Sequence, residues 1–94
     1  MRALEIKPTD GYIQDSLSWV YYKQKKYKQA LQVIETALQT VKNEWVIWSH
    51  YGDILDKIGK KDKALQAYQK ALELSKETDD KNNIQQKINL YTSR

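Results

Sequence analysis

Residues 11–44 read GYIQDSLSWVYYKQKKYKQALQVIETALQTVKNE, and residues 45–78 read WVIWSHYGDILDKIGKKDKALQAYQKALELSKET. Laid over one another, the two stretches agree at nine of 34 positions, where unrelated sequences would agree at about two. Ala30-Leu31-Gln32 returns as Ala64-Leu65-Gln66, and Ala3-Leu4 returns as Ala37-Leu38 and again as Ala71-Leu72, each at an interval of 34. The chain is therefore a repeat, and its unit is one supersecondary element.

Within each unit the large apolar residues recur at helical spacing: Leu17, Tyr21 and Ile34, then Tyr51, Leu55 and Tyr68. Small residues (Ser18, Ala30, Gly52, Ala64) fall where two helices must cross closely. This predicts two antiparallel pairs, 11–24 with 27–41 and 45–58 with 61–76. Asp10 and Asn43 are expected as N-caps, and Gly59 as a left-handed helix end. Lys25-Lys26 holds no glycine, which predicts a less sharply defined turn. After Lys76, Asp79-Asp80 is expected to cap a last helix over 79–92. Its stripe of Ile84, Ile88 and Tyr91 covers the last repeat, and its Lys, Asn and Gln face meets water.

These residues resemble the tetratricopeptide (TPR) pattern W-x2-L-G-x2-Y, A-x3-F, A and P. The second unit carries it as Trp48, Tyr51-Gly52, Leu55, Ala64, Tyr68 and Ala71; the first as Gln14, Leu17-Ser18, Tyr21, Ala30, Ile34 and Ala37. Gln14 departs from the pattern's Trp, and Lys42 and Lys76 from its Pro. Met1–Pro8 resembles the tail of a preceding repeat, so the chain reads as part of a longer array. Asp15-Ser16-Leu17-Ser18-Trp19 is similar to a segment common in bacterial members. The resemblance implies an all-α, right-handed solenoid with a C-terminal capping helix, divided into a tail (1–8), repeats at 11–44 and 45–78, and a cap (79–92). It also implies a non-catalytic scaffold for proteins or peptides.

Composition narrows the function further. Ninety-four residues allow one domain. The absence of Cys excludes disulfides and thiolate metal sites. Apolar runs are too short for a transmembrane span or a signal-peptide core. A soluble protein is expected, and the sequence leaves its compartment, cytoplasm or periplasm, open. His50 lies one turn before Asp53, but no placed nucleophile accompanies the pair. The three glycines are never clustered as a phosphate loop. No catalytic residue, metal site or cofactor is indicated, and His50 reads as a packing or groove-edge side chain.

Two surfaces remain as candidates. Lys23, Lys25, Lys26, Lys28, Lys57, Lys60, Lys61 and Lys63 crowd the two intra-repeat turns and predict a basic ridge suited to a polyanion. Lysines at helix ends also serve simply to complement the dipole. Arg occurs only at Arg2 and Arg94, which argues against sequence-specific nucleic-acid reading. By resemblance, the second, fifth, ninth and twelfth positions of each repeat line a concave groove. These are Tyr12, Asp15, Trp19 and Tyr22, then Val46, Ser49, Asp53 and Asp56. The Lys and Asn clamp by which chaperone-binding relatives hold a carboxylate is absent, because Asp15, Trp19 and His50 occupy its positions. The groove predicts a peptide anchored on aromatic side chains, with a basic or amphipathic guest facing the aspartates. Self-association through the first repeat, or a purely structural role, is the remaining expectation.

Overall fold

A computed structural model of the chain describes residues 11–92. It forms five helices in succession: α1 (Gly11–Lys23), α2 (Tyr27–Thr40), α3 (Trp45–Ile58), α4 (Lys61–Leu74) and α5 (Thr78–Thr92). No strand occurs among the described residues. The connections are only two to four residues long, which makes successive helices antiparallel neighbours. α1 pairs with α2 and α3 with α4, while α2 packs on α3 and α4 on α5. The architecture is thus the expected all-α stack of hairpins. The expected tail at 1–8 and the Asp10 cap lie outside the described residues.

Both hairpin turns are built the same way. Gly59 takes the left-handed conformation at φ 98°, and so does Lys25 at φ 65°, 34 residues earlier. The Lys26 amide donates to Tyr21 O (2.9 Å) and the Lys25 amide to Tyr22 O (3.0 Å); Lys60 and Gly59 donate to Leu55 O (2.9 Å) and Asp56 O (3.1 Å). These paired bonds are the Schellman closure of a helix end. The turn at Lys25 is therefore as well defined as its glycine counterpart, contrary to expectation. The repeat geometry imposes the conformation, and a non-glycine residue bears its steric cost.

Two caps differ from the sequence reading. α3 starts at Trp45, so Glu44 and not Asn43 occupies the N-cap position, without a side-chain bond to the helix. α5 starts at Thr78, which places Asp79 and Asp80 inside its first turn. There they act on the positive end of the helix dipole rather than as caps.

The core consists of two seams. One joins Ala30, Ile34 and Ala37 of α2 to Ile47 and Ile54 of α3. The other joins Leu55, Ala64, Ala67, Tyr68 and Ala71 to Ile84 and Ile88 of α5. Leu31 and Tyr51 pack against both and make the seams continuous. Ser18 is fully buried and its Oγ–H donates to Asp15 O at 2.8 Å, which satisfies the hydroxyl inside the hairpin. Leu17, expected in the core, is instead exposed. Its counterpart Tyr51 is covered by α2, whereas α1 packs only on α2 and α3 among the described elements.

Candidate binding groove

The first helix of each hairpin, together with α5, lines one side of the stack. Between α1, α3 and α5 lies a groove of about 550 Å³. Its apolar walls are Trp19, Trp45, Val46, Ile84 and Leu90, and its polar lining is Ser49, His50, Asp53, Asn83, Gln86 and Lys87. Leu90 is two-thirds exposed at the edge of the groove.

Trp19 is held in a stack of three rings. Tyr22 lies parallel on it at 4.5 Å between centroids, and His50 stacks on it at 4.2 Å. His50 Nδ1 donates to Asp15 Oδ1 at 2.8 Å, which orients the imidazole. These contacts hold the indole in one orientation. That lowers the entropic cost of using it as an anchor.

The expected aspartates are brought to this side, but each is already engaged. Asp53 accepts bonds from Lys87 Nζ at 3.2 Å on both oxygens and from the Tyr68 hydroxyl. Asp56 accepts from Lys61 Nζ at 2.7 Å and from the Tyr91 hydroxyl. Lys87 also reaches Ser49 Oγ (3.3 Å) and sits over the Tyr68 ring at 5.5 Å from its centroid. Burial and then the Asp53 bond push the Tyr68 phenol well above its ordinary pKa, and burial and then Asp56 do the same for Tyr91. Burial alone would raise the Asp56 carboxyl, but its bonds to Lys61 and Tyr91 outweigh this and the net shift is downward. The cation expected from a guest is supplied from within the chain, by Lys87 of α5 for Asp53 and by Lys61 of α4 for Asp56.

Of the residues expected in the groove, Trp19, Val46, Ser49 and Asp53 line it. Asp15 and Tyr22 stand behind Trp19 as supports. Asp56 lines a smaller neighbouring cleft of about 330 Å³ with Lys61, Lys87, Leu90 and Tyr91. Tyr12 is exposed at the start of α1 and lies outside both. The wall contributed by α5 escaped the sequence reading, although the signal was present. Continuing the 34-residue register from Ser49, Asp53 and Asp56 reaches Asn83, Lys87 and Leu90. These are three of the five α5 side chains that line the groove, the others being Ile84 and Gln86.

The eight ridge lysines are all exposed, and the antiparallel order puts both turns at one end of the stack. Among the described residues only Lys61 of the eight forms an ion pair, with Asp56. Lys23 lies 5.6 Å from the Trp19 ring centroid. No group of three or more metal-ligating side chains occurs among the described residues, and no described helix is long and apolar enough to cross a membrane.

Comparison with curated proteins gives no match. The family model of the tetratricopeptide repeat-like domain matches residues 10–92. Such domains are generally non-catalytic and generally bind proteins. The match covers most of the chain and both hairpins with α5, and the protein therefore belongs to the tetratricopeptide repeat-like family.

Proposed function

We propose that this protein is a non-catalytic scaffold that holds a peptide or protein segment in the groove between α1, α3 and α5. The observation that carries this reading is the open apolar trough of Trp19, Trp45 and Leu90 around a pre-ordered indole. The internal partners of Asp15, Asp53 and Asp56 alter the guest first expected. A basic segment would have to displace Lys87 or Lys61, so the favoured guest brings a large apolar side chain, with Asn83 and Gln86 available to its backbone. Panning a displayed peptide library against the folded chain tests this. Selected peptides should lose about 2 kcal/mol or more of affinity with Trp19→Ala and little with Lys26→Ala or Lys60→Ala. Selected peptides that ignore Trp19→Ala and Leu90→Ala would refute the groove.

A second reading rests on the ridge, whose lysines other than Lys61 make no ion pair within the chain among the described residues. They remain available to a polyanion. Heparin binding that falls steeply with salt and with Lys26→Ala and Lys60→Ala would favour it.

A further inference from the structure

We infer that the guest of the groove is a segment of split character. A large apolar side chain sits against Trp19 and Leu90, and carboxylates on one side of it rest on Lys23 and Lys57. This presupposes the groove as the seat of the guest and adds the guest's chemistry and polarity.

The 34-residue register lays out the groove side in rows across α1, α3 and α5. Asp15, Ser49 and Asn83 form one row, and Trp19, Asp53 and Lys87 the next. One helical turn further on, at the same face, stand Lys23, Lys57 and Tyr91. Lys23 and Lys57 occupy the last turns of α1 and α3, and Lys23 Nζ lies 5.6 Å from the centroid of the Trp19 ring. This row is therefore a rim of the groove. The smaller cleft reaches the same rim: it shares Lys87 and Leu90 with the groove and adds Asp56, Lys61 and Tyr91. Together the two follow α3 from Trp45 to Asp56, about 16 Å at the helical rise.

Charge decides what can lie along this trough. Its own carboxylates Asp53 and Asp56 are held by Lys87, Lys61 and two phenols. Lys23 and Lys57 are exposed and form no ion pair among the described residues. The turns behind them, 23–28 and 57–63, contain eight lysines and a single carboxylate, Asp62. The opposite rim, at the starts of α3 and α5, has the reverse balance, with Glu44, Glu77, Asp79 and Asp80 against Lys42 and Lys76. A field of this shape favours carboxylates at one end of a guest and disfavours them at the other. Exposed ion pairs are individually weak, so the apolar anchor supplies most of the affinity and the lysines set the orientation.

Calorimetric titration of the whole chain with peptides panned on it tests this. Peptides that depend on Trp19 should carry Asp or Glu on one side of an apolar anchor only. Replacing those acids by Asn or Gln should weaken binding about fivefold or more. Lys23→Gln/Lys57→Gln should weaken the acidic peptide by a similar factor and leave its neutral version unchanged, a coupling that a misfolded variant would not show. Lys42→Gln/Lys76→Gln removes the same charge from the opposite rim and should not weaken binding. Trp19-dependent peptides without acids, or with acids on both sides, would overturn the split guest and leave the groove standing. So would acidic peptides indifferent to Lys23→Gln/Lys57→Gln. Panning that yields no Trp19-dependent peptide would remove the groove and its guest together.

Discussion

A Cβ atom on Gly52 would stand 2.6 Å from Cε1 of Tyr68, closer than side chains approach one another. α3 and α4 cross at this point, and the full width of one phenol ring fills the space that the missing side chain leaves. The first hairpin has Ser18 and Ile34 at the same repeat positions, both fully buried. A larger residue on the first helix goes with a narrower one on the second. Gly52→Ser should therefore destabilise by about 1–3 kcal/mol, although serine is the better helix former. Adding Tyr68→Ile, which copies the first hairpin, should recover part of that loss. A double-mutant cycle by urea unfolding measures the coupling, and strictly additive effects would refute the account.

Lys25 occupies a left-handed conformation that Gly59 occupies without a side chain. Lys25→Gly should raise stability by about 1 kcal/mol by removing the Cβ penalty. Gly59→Ala should lower it by a similar amount. Thermal unfolding of both variants checks the sign, which is opposite at equivalent positions of the two repeats.

The raised phenols and the lowered carboxyl bound the pH range of stability. Tyr68 and Tyr91 hold their protons in the folded state beyond the ordinary value. The unfolded chain releases them first, so their contribution is intact below about pH 10 and is lost as pH rises above it. Asp56 is lowered in the folded state, so its contribution is present above about pH 4 and is lost as pH falls through the folded value. Tyr68→Phe should flatten the alkaline limb of a stability–pH curve and leave the acid limb in place. An unchanged alkaline limb would count against the Tyr68–Asp53 bond.

Lys87 joins α5 to α3 through Ser49 and Asp53. Lys87→Ala should cost about 1 kcal/mol, a modest figure because the lysine is partly exposed. The loss should be concentrated in α5. Hydrogen exchange should show faster opening of Thr78–Thr92, with little change in the seam between α2 and α3. Uniform acceleration throughout the chain would show that α5 does not open as a separate unit.

Amino-acid order alone determined the repeat, the five helices and the row of Ile84 and Ile88 that seals the last hairpin. It also placed the lysines of both turns in solvent. All of these follow from periodicity, a property of spacing along one chain: a 34-residue interval fixes which residues are equivalent, and a 3.6-residue interval fixes which share a face. Tertiary structure alone decided what each groove residue touches. Asp15 meets His50 across 35 residues, Asp53 meets Lys87 across 34, and Asp56 meets Tyr91 across 35. The sequence displays three aspartates on the inner helices but not the groups that reach them. Leu17 likewise satisfies every local rule for a core position yet lies open. Periodicity assigns a side chain to a face, whereas its burial and its charge partner depend on which neighbouring helix arrives there and at what distance.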